Sequence, residues 1–150
     1  MKKPTEGMVV DGSCSGNPGP AKYRGIDIAT GKELFCVDIG YATNNIAEFL
    51  GLCHAVLKGV KEGKPCTIYT DSTTAMAWLA ARRVNSKLPK NKLTAKAWDY
   101  VTRCIAGLAE LFLIDEKILI HIGIDEIAYI EVQRWITDLW GESPADFGKK

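Results

Sequence analysis

Four carboxylates carry the chemical interest of this sequence: Asp11, Glu48, Asp71 and Asp146. Each is expected near the end of a secondary-structure element. Brought together, they would repel one another and could not stay ionised without cations. Hard carboxylate oxygens select Mg²⁺, with Mn²⁺ as a substitute, rather than zinc. Two such ions about 3.5–4 Å apart can clamp the attacking and leaving oxygens of a phosphoryl displacement. Only His54 and His121 exist among histidines. His54 falls in a predicted helix with no evident dyad partner, and His121 is flanked by isoleucines as a structural histidine would be. A Ser-His-Asp or Cys-His site is therefore not indicated.

Each acid also has a plainer reading. Met8 to Val10 is a short apolar run that reads as a buried strand, and Asp11 comes immediately after it. The Gly12–Pro20 stretch beyond it holds three glycines and two prolines, so the strand ends in a tight turn. Asp11 could be a turn residue there. No Gly-Lys-Ser/Thr comes after it, so this is not a phosphate-binding loop, and no dinucleotide pattern is in register. Glu48 is expected in the first turn of a helix, where it could simply complement the dipole. Asp71 closes the predicted strand Cys66–Thr70 and could cap the next helix.

The positioning elements are legible in order. Lys22–Ala29 reads as a second strand, Thr30-Gly31-Lys32 as a hairpin turn and Leu34–Ile39 as a third strand, giving an antiparallel meander. Ile46, Leu50, Cys53, Leu57 and Val60 recur at helical spacing after an Asn44 or Asn45 N-cap, and Gly63 and Pro65 end that helix. Thr73–Arg83 is a second helix. Strand, helix, strand, helix implies a crossover and a parallel strand pair, whose C-terminal ends would bring Asp11 and Asp71 together. Trp98, Val101, Ile105, Leu108 and Phe112 mark a third helix. Leu113–Thr137 reads either as two strands turning at Asp125-Glu126 or as a helix and one strand near Val132–Thr137.

No acid occurs from Ser72 to Trp98, whereas Arg82, Arg83, Lys87, Lys90, Lys92 and Lys96 all do. That run is either a solvated loop or a phosphate-contacting surface. The 150 residues suit one domain, 1–150, and the net charge of +1 favours no partner by itself. The five scattered cysteines form no Cys-x-x-Cys pair, which argues against a zinc site or disulfide framework and for a reducing compartment. The polar Met1–Gly7 start does not read as a signal peptide, and no apolar run is long enough to span a membrane. A cytoplasmic protein with no membrane partner and no small-molecule cofactor is expected.

Asp-Gly-Ser-Cys-Ser-Gly-Asn-Pro-Gly-Pro at 11–20, Thr-Asn-Asn-Ile-Ala-Glu at 43–48, Tyr-Thr-Asp-Ser at 69–72 and Gly-Glu-Ser-Pro-Ala-Asp at 141–146 resemble, in order and spacing, the four blocks of type 1 ribonuclease H. The resemblance is nearest to a short bacterial ribonuclease HI form ending in Trp-Gly-Glu-x-Pro-Ala-Asp-Phe-Gly. It implies an α/β ribonuclease H-like fold: a mixed five-stranded sheet, three strands antiparallel and two added in parallel, with helices on both faces. It implies Mg²⁺-dependent endonucleolytic cleavage of the RNA strand of an RNA–DNA hybrid. Asp11 would bridge two ions, with Glu48 and Asp71 on one and Asp146 on the other, and an activated water would leave 5′-phosphate and 3′-hydroxyl ends. Gly12, Ser13, Cys14, Asn17, Thr43, Asn44, Asn45 and Ser72 match positions that line the hybrid's minor groove, where the 2′-hydroxyl marks RNA. Arg82, Arg83, Lys87 and Lys90 are the expected phosphate contacts.

Three departures accompany the resemblance. Thr137-Asp138-Leu139-Trp140 carries no histidine where the family's last block has one. The basic handle is shortened to Arg82–Lys96. Leu113–Tyr129 is longer than the short form needs. A monomer is expected, with 113–130 as the surface through which a dimer could form. A catalytically weak module that binds hybrid or structured RNA on the same fold is the alternative function, and a nuclease for another nucleic acid a third.

Overall fold

A computed structural model of the chain describes residues 6–62 and 67–114. Its elements are β1 (Met8–Cys14), β2 (Gly19–Asp27), β3 (Glu33–Ala42), α1 (Asn44–Lys61), β4 (Ile68–Tyr69), α2 (Thr73–Ala81) and α3 (Ala95–Ile114). The sheet order is β3-β2-β1-β4, with β1–β2 and β2–β3 antiparallel and β1–β4 parallel. The expected meander and parallel pair are both present. Four strands, not five, form the sheet among the described residues. Both readings of Leu113–Thr137, and with them the fifth strand, fall outside the described residues apart from the last turn of α3.

The meander forms because apolar β-formers alternate with polar residues and the connection is tight. Gly31 takes φ +71°, a conformation that glycine adopts without a Cβ penalty. Asp27 closes the turn: its carboxylate accepts from the Thr30 amide and hydroxyl at 3.2 and 2.6 Å.

Helix α1 is at the centre of the described residues. Ile46, Ala47, Phe49, Leu50, Leu52, Cys53, Ala55 and Val56 are all buried, which places them on more than one side of the helix. A helix that is apolar nearly all round is one that is covered on several sides. Here the sheet covers one side, and α2 and α3 pack against the others. Each fully buried Leu or Phe contributes about 1.5–3 kcal/mol relative to exposure. The expected α3 face is observed, with Val101 and Leu108 buried and Trp98, Cys104 and Ile105 against the core. Phe112's side chain falls outside the described residues.

Several boundaries differ from the sequence expectation. Thr43, not Asn44 or Asn45, caps α1: its hydroxyl accepts from the Ile46 amide at 3.3 Å. Ser72, not Asp71, caps α2, accepting from the Ala75 amide at 3.0 Å. Helix α2 stops at Ala81 rather than Arg83, because Arg82 adopts the left-handed conformation with φ 55°. Strand β1 runs on to Cys14 instead of ending at Val10. The glycine-rich turn therefore begins after Cys14, and Asp11 lies within a strand.

Candidate active site

The β1–β4 register places Asp11 and Asp71 together. Met8 pairs with Ile68 and Val9 with Tyr69 across β1 and β4. Continuing that register sets Asp71 beside Asp11, just past the end of β4. Glu48 arrives from above. Helix α1 crosses β1 at Gly12, where a Cβ would stand only 2.6 Å from the Glu48 backbone nitrogen. Only glycine permits that approach. Glu48 is the fifth residue of α1 and lies beyond its first turn, so helix-dipole complementarity does not account for it.

One carboxylate oxygen from each of Asp11, Glu48 and Asp71 lies within 4.8 Å of the others. Asp11 and Asp71 are buried and Glu48 is half-buried. Burial first, then the Asp71 and Glu48 charges, push the Asp11 carboxyl well above its ordinary range, and the Gly12 amide and Arg24 oppose this less strongly. Burial and then Asp71 push Glu48 up to about 8, against hydrogen bonds from the Ser72 and Asn44 side chains. Both Asp11 oxygens are buried with no hydrogen-bond partner of good geometry among the described residues. Buried carboxyl oxygens without a well-aligned partner are rare, because a buried polar group left unsatisfied costs free energy. Three converging hard oxygen donors, one with both oxygens unspent, fit a divalent cation such as Mg²⁺.

Hydrogen bonds tie the segments that flank the cluster to one another. The Asn44 amide donates to Asn17 Oδ1 at 3.1 Å, tying the glycine-rich turn to the start of α1. The Cys14 thiol is 3.2 Å from the Ala42 carbonyl, which precedes the same helix. Asn17 and Asn45 are exposed, whereas Gly12 and Ser13 are buried. Lys96, at the start of α3, packs its aliphatic chain against Gly40 of β3, 3.6 Å from where a Cβ would sit. The basic run thus reaches the end of β3 that leads into α1. Arg82, Arg83, Lys87, Lys90 and Lys92 are exposed. Their loop is held by buried Leu88 and by Thr94, whose hydroxyl donates to the Pro89 carbonyl at 2.5 Å. Lys90 lies over the Trp98 ring, 4.8 Å from its centroid. No helix of the described residues is long and apolar enough to cross a membrane.

The profile of the family described as RNase H matches residues 4–118. The chain belongs to the RNase H family. A protein named ribonuclease H from Neorickettsia sennetsu (strain ATCC VR-367 / Miyayama) is 37% identical over 68 residues, 44% of this chain and 45% of its own length. Ribonuclease HI of Pseudomonas syringae pv. tomato (strain ATCC BAA-871 / DC3000) is 31% identical over 120 residues, 76% of this chain and 72% of its own. The matches therefore span from about half to about three quarters of these relatives. Among solved structures, the N-terminal RNase H domain of Rv2228c from Mycobacterium tuberculosis has a TM-score of 0.41 at 28% identity, covering 68% of this chain and 76% of that one.

Asp11, Glu48 and Asp71 all lie inside the matched RNase H region. Asp146 and the Trp140–Gly148 ending lie beyond it and outside the described residues, as does His121. Two features escape a reading of the sequence. Arg24 stands directly opposite Asp11 in the β1–β2 register. His54, which has no catalytic partner in the sequence pattern, is engaged structurally: its Nδ1 is 2.8 Å from the Tyr23 hydroxyl and its ring stacks on Phe35 with centroids 3.9 Å apart. A strand pairing register would have exposed the first; no sequence signal marks the second.

Proposed function

We propose that this protein is a metal-dependent endoribonuclease that hydrolyses the RNA strand of RNA–DNA hybrids by a two-metal mechanism, acting as a single-domain cytoplasmic monomer. The observation that carries the reading is the cluster of Asp11, Glu48 and Asp71, two of them buried and one half-buried, mutually repelling and inside the matched family region. A pure binding module gains nothing from acids gathered where phosphates must approach. Relatives bearing the ribonuclease H name support the substrate class. The same reading takes the fifth strand to lie within 113–137 and the short bacterial ending to supply Asp146 as fourth acid.

Asp11, Glu48 and Asp71 would hold Mg²⁺, or Mn²⁺ in its place, with Asp146 completing the set. Bound divalent cations supply Lewis-acid stabilisation of phosphoryl charge and lower the pKa of water. The chain's own contribution is placement. Gly12 lets α1 close on β1, so Glu48 reaches Asp11. Ser72 and Asn44 orient the Glu48 carboxylate by hydrogen bonds while Ser72 and Thr43 cap their helices. Asn17, Asn45, Thr43 and Cys14 form the rim over which a minor groove would lie, and Arg82, Arg83, Lys87 and Lys90 would contact phosphates.

End-labelled RNA–DNA hybrid, duplex DNA and duplex RNA, each incubated with Mg²⁺ or with EDTA, test the proposal. Cleavage confined to the RNA strand of the hybrid, requiring Mg²⁺ and leaving 5′-phosphate ends, is expected. Hybrid retention without cleavage would favour the binding module, and cutting of duplex DNA would favour a different nuclease.

A further inference from the structure

We propose that Arg24 is a positioning residue of the carboxylate cluster, a fixed counter-cation built into β2 that sets how tightly the cluster takes a divalent ion. This deepens the metal-site reading above and rests on it. In the antiparallel β1–β2 pair, Asp11 is the direct partner of Arg24. Directly opposed residues share one face, with Cβ atoms about 4.5–5.5 Å apart. The same row continues on both sides: Arg24 pairs with Cys36 on β3, and the β1–β4 register brings Asp71 beside Asp11. Across the sheet the order is therefore Asp71, Asp11, Arg24, Cys36.

Asp11 is buried and Arg24 is half-buried. The two Asp11 oxygens are buried, and so is the Arg24 Nε. Charges in such surroundings act on each other far more strongly than across solvent. A guanidinium does not lose its proton in a protein, so the positive charge is permanent. Two register irregularities in the β2–β3 pairing, at Ala21/Lys22 and Gly25/Ile26, bracket the segment that carries Arg24. The residues skipped in that pairing, Leu34 and Ile39, lie on β3, so β2 keeps its regular alternation through Arg24.

One cation beside Asp11, at the centre of three carboxylates, has two opposed consequences. Without a metal, Arg24 offsets part of the repulsion among Asp11, Glu48 and Asp71. With a metal arriving, the same charge repels it. Arg24 thus keeps the empty cluster folded while holding divalent-ion affinity down, so that ions exchange readily.

The test is calorimetric titration of Mg²⁺ into the full chain, with melting curves in EDTA and in saturating Mg²⁺, for wild type, Arg24→Gln and Arg24→Lys. Titration at pH 9 keeps proton competition small. Arg24→Gln is expected to bind Mg²⁺ more tightly by on the order of tenfold and to lose Tm in EDTA but much less in Mg²⁺. Arg24→Lys, which keeps the charge, is expected to stay near wild type in both. A purely structural arginine would lower both melting curves alike and leave the Mg²⁺ affinity unchanged. That result, with Mg²⁺ still binding the wild type, would overturn the role of Arg24 and leave the metal site standing. A lysine variant that departs from wild type in Mg²⁺ affinity would overturn it too, even if the glutamine variant failed to fold. Absence of Mg²⁺ binding to the wild type would overturn both readings.

Discussion

Gly12 and Glu48 touch: a Cβ on Gly12 would lie 2.6 Å from the Glu48 nitrogen and 2.7 Å from the Ala47 carbonyl carbon. These are backbone atoms, so neither can swing aside. Gly12→Ala must push α1 away from β1 and carry Glu48 with it. Overpacking of this kind costs about 1–3 kcal/mol. A displacement near 1 Å in a positioned catalytic group can cost on the order of 10²-fold in rate. The expected outcome is a folded protein with a modestly lower Tm and a much larger loss of hybrid cleavage. Retention of both would mean that α1 does not position Glu48 through this contact.

Asp71→Asn separates chemistry from folding. Ser72 holds the α2 cap, so Asp71 has no capping duty to lose. Removing one of three mutually repelling carboxylates relieves strain in the metal-free protein. The Tm in EDTA should hold or rise, while cleavage in Mg²⁺ falls by on the order of 10²–10³-fold, since cation stabilisation of phosphoryl charge is worth several kcal/mol. Paired melting curves and single-turnover cleavage check this. A folded variant that cuts at the wild-type rate would remove Asp71 from the site.

The features legible in the sequence are those set by short-range interactions or by simple topology. Local periodicity gives the element types: the stripe from Ile46 to Val60 is a helix, and the Lys22–Ile39 hairpin is a hairpin. Topology brings Asp11 and Asp71 together, because the parallel β1–β4 pair sets the residue just past β4 beside Asp11 of β1, and Glu48 joins them where α1 closes on β1 at Gly12. The end of β1 is harder to read, since glycine and serine at 12 and 13 suggest a turn, whereas β2 pairing extends the strand to Cys14. The caps lie one residue from their expected places for a similar reason: Thr43, Asn44, Ser72 and Asp71 are all capable, and only geometry chooses. Arg24 stays hidden because its partner is thirteen positions away and is fixed only by register.

Acidity supplies a test of the cluster without substrate. Glu48 is raised to about 8 and Asp11 is raised well above its ordinary value. In the unfolded chain both carboxyls lose their protons near pH 4–4.5. Between that range and about pH 8, the unfolded state therefore binds fewer protons than the folded state. Stability falls as pH rises wherever this holds. The contribution is fully present below about pH 4 and lost as pH passes through the folded values. In EDTA, the Tm should decline from pH 5 to pH 8. Mg²⁺ should flatten that decline, because a cation favours the ionised carboxylates. A pH-independent Tm in EDTA would mean that the three acids do not crowd one another in solution.

Asp146→Asn probes the proposed fourth acid. If Asp146 shares the cluster's metals, the variant should lose cleavage in Mg²⁺ less severely than Asp71→Asn. Mn²⁺ should partly rescue it, because Mn²⁺ accepts nitrogen and neutral donors more readily than Mg²⁺ does. Full activity in Mg²⁺ would shift the search to Asp138 or Glu142.

The basic loop between α2 and α3 is expected to supply affinity rather than chemistry. Arg83, Lys87 and Lys92 are exposed, and Lys90, though stacked on Trp98, presents its charge at the surface. Buried Leu88 and the Thr94 hydroxyl fix the loop's shape, so the charges are held in place rather than trailing on a free strand. Fixed cations release counterions when they meet phosphates, and each contact steepens the log–log salt dependence by about 0.7–0.9. Replacing Lys87, Lys90 and Lys92 with Gln should therefore raise KM and flatten that dependence by up to three such increments, with the cleaved positions unchanged. Lys90→Gln also removes the cation–π contact, worth about 0.5–1 kcal/mol at an exposed site, so a small fall in Tm accompanies it. Hybrid cleavage measured from low to high KCl reads the salt effect, and a melting curve reads the other. An unaltered salt slope would assign these lysines to solvent, and altered cleavage positions would place them in register-setting contacts instead.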